Sequence, residues 1–164
     1  MQRDRFDRAR AFIAADIGRE IRLARGETSR WRRLVRWALG NPPGGGNFLA
    51  ALGLLCYTEF AGRAKRDDFS DGNARACFDD FFRDLGPEYS ELLKTRNIYR
   101  DLRCGLAHEY FVKRSCAIAM LAFQPQCGVQ WDGERYIFVV EAYWQDFQAA
   151  FQKLGQQLYG STGV

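Results

Sequence analysis

The chain has one histidine, little lysine beside its arginine, and no pair of cysteines in Cys-x-x-Cys spacing. Each scarcity excludes something. A lone imidazole and scattered thiols cannot build a histidine or thiolate zinc cluster, so neither a metal nor another cofactor is expected. The five cysteines, at 56, 77, 104, 116 and 127, are odd in number. That argues against a disulfide framework and for reduced thiols in a cytoplasmic protein. The longest apolar run, around Phe48 to Leu55, falls far short of the about 20 residues that span a bilayer. The first ten residues, MQRDRFDRAR, are charged throughout and lack the apolar stretch of a secretory leader. No internal repeat is visible.

What is present is apolar and aromatic. Hydrophobic residues make up 47% and aromatics 15% of the 164 residues, enough for one domain with a sizeable core. The net charge of +4 is uneven. Residues 1–40 hold eleven arginines against five acids, a local charge of +6, and the remainder is about −2. Guanidinium forks suit phosphate, so an Arg-rich first quarter fits an RNA partner. A solvated helix face would read the same way.

Periodicity gives the architecture. Phe6, Ala9, Ile13, Ile17, Ile21 and Ala24 form a helical stripe. A second helix over 30–39 would place Trp31, Leu34, Val35 and Ala38 on one side. Arg30, Arg32, Arg33 and Arg36 line the rest and are candidate RNA contacts. The Gly/Pro loop at 41–46 is a breaker, and no Gly-Lys-Ser/Thr follows to make it a phosphate loop. Core helices are expected over 47–114. The first runs from Asn47 to about Ala64, with Phe48, Leu52, Leu55, Cys56 and Phe60 inward. Its Glu59, set among apolar neighbours, needs a partner, and an arginine is the obvious one. Phe78, Phe81, Phe82 and Leu85 mark the next helix, and Pro87 opens a short one. Residues 115–160 are expected to form a small antiparallel sheet, its hairpin at Asp132-Gly133-Glu134, and a final helix over Tyr143 to Leu158. That helix would turn Phe147, Phe151, Leu154 and Leu158 inward.

The segment from Ile98 to about Val112 holds the chemistry-bearing residues. Read as an α-helix, it buries Ile98, Leu102 and Leu106. At about 100° per residue it places Asp101, Cys104 and His108 on one stripe. Gly105 in mid-helix marks a close approach. His108 is the lone imidazole, the side chain whose ordinary titration lies near neutrality. A lone histidine is more often a structural group than a catalyst. An arginine five residues away changes the weighing, because arginine holds phosphate and imidazole takes a proton from a 2′-hydroxyl.

Arg103-Cys104-Gly105-Leu106-Ala107-His108 resembles the HEPN superfamily motif (higher eukaryotes and prokaryotes nucleotide-binding), an arginine and a histidine separated by four to six residues. The run Tyr99 to Tyr110, the stretch Tyr57-Thr58-Glu59-Phe60 and the C-terminal helix with Trp144-Gln145-Asp146-Phe147-Gln148-Ala149 are similar to a branch of small bacterial HEPN-like proteins, over roughly residues 47–155. The resemblance implies an antiparallel helical bundle and a metal-independent endoribonuclease. It implies a homodimer whose two Arg103/His108 pairs face one another, and a 2′,3′-cyclic phosphate product. Asp101, Cys104, Gly105, Glu59 and Tyr110 would support the pair. Toxin–antitoxin or defence settings, with an antitoxin-like protein partner, are common in the superfamily. Active members often carry Asn, Asp or His after the arginine, where this chain has Cys104. The alternative is a non-catalytic HEPN-like module that binds RNA, a nucleotide or a protein.

Overall fold

The computed structural model describes residues 1–25, 46–109, 116–120 and 127–160. The expected helix over 30–39 with Arg30, Arg32, Arg33 and Arg36, most of the Gly/Pro loop, Tyr110 and the far end of the motif helix lie outside the described residues.

Helix α1 (Arg3–Ala24) buries Phe6, Ile13, Ile17 and Ile21, the stripe its periodicity predicts. It packs on α2 (Gly46–Arg66), the central helix, which also meets α3 (Ala74–Asp84). The inward face of α2 differs from expectation. Ala50, Ala51, Leu54, Leu55, Thr58 and Ala61 are buried, whereas Phe48, Leu52, Cys56 and Phe60 are only partly so. Small residues turn inward because the neighbouring helices come too close for large ones. A Cβ on Gly62 would stand 1.8 Å from the carbonyl oxygen of Cys77 on α3, so only glycine fits there.

Helix α3 buries Phe78, Phe81 and Phe82, as its spacing predicts. Phe81 meets Phe147 edge-on at 5.5 Å, and Phe6 stacks on Phe151 at 4.6 Å. Such ring contacts add to the area they bury. Pro87 opens α4 (Pro87–Thr95) at its first position, where a missing N–H costs nothing. Buried Tyr89 accepts the Gly128 amide at 2.8 Å and donates to Asp146.

The motif segment is not one α-helix. Tyr99–Cys104 is π-helical and continues as α5 (Gly105–Glu109). A carboxylate fixes the widened turn from the side: Asp101, 4% exposed, accepts the Tyr136 hydroxyl at 2.8 Å.

Strands β1 (Cys116–Ala119), β2 (Val129–Trp131) and β3 (Tyr136–Val139) form a sheet ordered β1-β3-β2. The expected hairpin is present. β2 and β3 pair antiparallel, Gly133 sits at φ +107°, and the Asp132 carboxylate accepts the amides of Glu134 and Arg135. The sheet is mixed rather than wholly antiparallel, because β3 enters between the other two and runs parallel to β1. Helix α6 (Val140–Tyr159) follows directly and starts a turn earlier than its stripe suggests. It buries Phe147, Phe151 and Leu154, but Leu158 is 39% exposed. Tyr159 takes the expected place of Leu158 instead, its ring 5.4 Å from Phe6. Arg25, just past α1, donates to both Glu141 oxygens at 2.8 and 2.6 Å and ties α1 to α6.

Candidate functional site

Glu59 sits midway along α2 and is 8% exposed. The expected arginine is there, and a second comes with it. Arg63, one turn on, donates to Glu59 Oε1 from Nε at 3.2 Å and from Nη2 at 3.1 Å. Arg103 brings Nη2 to 2.9 Å from Glu59 Oε2. This second contact is an ion pair without hydrogen-bond alignment: Glu59 Oε2 and Arg103 Nε are buried and have no hydrogen-bond partner among the described residues. The cluster of two guanidinium groups and one carboxylate keeps one net positive charge.

The surroundings hold Arg103 in place. Its Cζ lies 5.7 Å from the Tyr99 ring centre, within cation–π range. Cys56 and Cys104 flank it, both half-buried. Burial works to lower the Arg103 pKa, but the Glu59 charge together with Cys56, Tyr99 and Cys104 outweighs it, and the guanidinium is held more firmly protonated than usual. Burial pushes the Cys56 thiol up, against the opposing pull of Arg103. Burial, and then the Glu59 charge, raises the Tyr99 hydroxyl. Cys56 is thus not poised as a thiolate.

The structure separates the residues that the α-helical wheel groups together. Asp101 turns inward to Tyr136, with Arg100 Nε at 3.4 Å from its other oxygen. Cys104 is half-buried and Gly105 buried, while His108 is exposed. Asp101 therefore does not share a surface stripe with His108, because the π turn changes the phase between them. Asp101 does not pair with Arg103 either; Glu59 does.

Two features escape the sequence reading. Arg63 has a local signal, since Glu59 and Arg63 stand at i,i+4 on one helix. The stack of Arg96 on Trp131, with Cζ 3.8 Å from the ring centre, has none, because α4 and β2 are far apart in the chain. No group of three or more His, Cys, Asp or Glu side chains able to hold a metal ion occurs among the described residues. No helix among them is long and apolar enough to cross a membrane.

Comparison with protein-family models, with curated proteins and with solved structures finds no match for this chain.

Proposed function

We propose that the protein is a HEPN-like, metal-independent endoribonuclease acting as a homodimer, with Arg103 and His108 of both protomers forming one site. One observation carries the reading. Arg103 is pinned by its ion pair with Glu59, while the only imidazole, His108, stands exposed on the helix that follows. A fixed cation and an accessible base are the two parts that phosphodiester transfer needs.

In the proposed reaction, one His108 takes the proton of a 2′-hydroxyl. The 2′-oxygen bonds to phosphorus, and the bond from phosphorus to the 5′-oxygen breaks. The partner's His108 returns a proton to that leaving oxygen. The products are a 2′,3′-cyclic phosphate and a 5′-hydroxyl. Two copies are required because one histidine per chain cannot be base and acid in the same step. Two-fold symmetry supplies the second copy. The net positive charge of the Arg103–Glu59–Arg63 cluster favours the developing phosphorane charge.

The test is RNA cleavage by wild type and His108→Ala in the presence of chelator, with solution mass measured alongside. Cleavage of RNA, inertness of a substrate with 2′-deoxy at the scissile position, and loss of activity in a folded His108→Ala are expected. Cleavage that survives His108→Ala, or a monomer that cleaves at full rate, sinks the mechanism. The Arg103–Glu59 ion pair also favours a second reading, a non-catalytic RNA-binding module in which Arg103 is structural. Salt-sensitive RNA affinity without turnover would single it out.

A further inference from the structure

Away from the motif, an open groove of about 510 Å³ runs between α4 and the edge strand β2. One wall is the helix face carrying Glu88, Glu91, Leu92 and Thr95, spaced at i, i+3, i+4 and i+7. The lining includes half-buried Leu92 and the buried Cys127 and Val129. Arg96 and Trp131 close one end, the guanidinium lying on the indole. Trp131 also meets Tyr136 edge-on at 4.9 Å.

This stacking matters because of what it leaves open. A guanidinium seated over a ring can still direct N–H donors to a ligand. Arg96 makes no ion pair or side-chain hydrogen bond among the described residues. Arg96 thus lines the groove with its side-chain donors uncommitted among the described residues. At the other end are carboxylates: among the described residues Glu91 pairs with exposed Lys94 alone, a solvated contact of little strength. Glu91 lies in the last turns of α4, and Arg96 follows just past the helix end in extended backbone.

We propose that the groove is a base-binding subsite for guanine, presented as a nucleotide or as an unpaired residue of RNA. The Arg96 fork would take O6 and N7, the commonest arginine–guanine contact. Glu91, with Glu88 a turn away, would accept from N1–H and the exocyclic amine. The ring face would lie on Leu92, which is half-buried. Adenine presents an amino group where guanine has O6, so it sets donor against donor at Arg96. The assignment goes beyond the cleavage reading and does not depend on it.

The experiment is calorimetric titration of the full chain with GMP, AMP and inorganic phosphate. GMP binds, AMP binds at least about fivefold more weakly, and phosphate neither binds nor competes. Arg96→Lys keeps the charge but loses the fork, so its GMP preference collapses while its melting temperature stays near that of wild type. Glu91→Ala weakens GMP binding. The His108→Ala protein binds GMP with wild-type affinity although it loses RNA cleavage, so failure of the cleavage mechanism leaves this result standing. Equal affinity for GMP and AMP, absence of GMP binding, displacement of GMP by phosphate, or an Arg96→Lys protein with unchanged preference each overturns the proposal.

Discussion

Glu59→Ala tests the electrostatic core of the site directly. Removing one partner of a buried ion pair costs about 3–5 kcal/mol when the other charge is left stranded. Here two charges are stranded, but neither is sealed off. The Arg63 and Arg103 side chains are 17% and 21% exposed, so water can solvate the guanidinium heads once the carboxylate is gone. That brings the expected loss to about 2–3 kcal/mol. For a chain of this size it corresponds to a fall in melting temperature of about 5–10 °C.

Arg103→Ala should cost less, about 1–2 kcal/mol, because Glu59 keeps both hydrogen bonds from Arg63. The two changes should not add. Their shared contact predicts a coupling of about 1 kcal/mol in a double-mutant cycle read by urea or thermal unfolding. A Glu59→Ala protein melting within about 1 °C of wild type would refute the reasoning. Strict additivity of the pair would show that the 2.9 Å contact contributes nothing.

The other predictions follow from single contacts. His108→Ala should lower RNA cleavage by about 10²–10⁴-fold, the usual contribution of a general acid–base, with an unchanged melting curve, since its exposed side chain packs no core. Gly62→Ala drives a methyl into the Cys77 carbonyl and should destabilise by about 3 kcal/mol or more, checked by thermal unfolding. Glu141 has its pKa held below the usual glutamate value by the hydrogen bonds of Arg25, against the opposing effect of burial. A depressed folded-state pKa contributes stability that is present above the unfolded value and lost as pH falls through the folded one. Melting temperature should therefore drop more steeply below about pH 4.5 in wild type than in Glu141→Gln; identical slopes would remove the Arg25–Glu141 pair from the account.

Elements that bury one large apolar stripe were legible. The stripe of α1, the phenylalanines of α3, the Pro87 start of α4 and the Asp132-Gly133 hairpin all stand where local pattern places them. Local chemistry settles these features before tertiary contacts act. On α2 the expected Leu55 is buried, but Phe48, Leu52, Cys56 and Phe60 are only partly so, because close helix approach selects alanine and Gly62. The parallel β1–β3 pairing has no local signal at all, since it depends on which strand enters between the others. Glu59 was legible as a carboxylate in need of a cation. Its sharing between Arg63 and Arg103 was not, because that requires the motif segment to lie against α2.

The motif segment shows why spacing alone underdetermines a site. A π turn has poorer local support than an α turn and persists where surrounding contacts favour it. Two long-range contacts do so here, and they draw nearby residues to different elements. Asp101 is held by Tyr136 of the sheet, and Arg103 by Glu59 of α2. A regular helix at about 100° per residue would set these two side chains about 200° apart. The wider turn, with its i→i+5 bonding, resets that angle and with it the phase to His108. Arg103 is therefore placed by its carboxylate partner more than by its position in the helix, and His108 by the α-helical turn that resumes at Gly105. The relation between the two motif residues follows from a buried acid on either side of Arg103, one in α2 and one two residues before it.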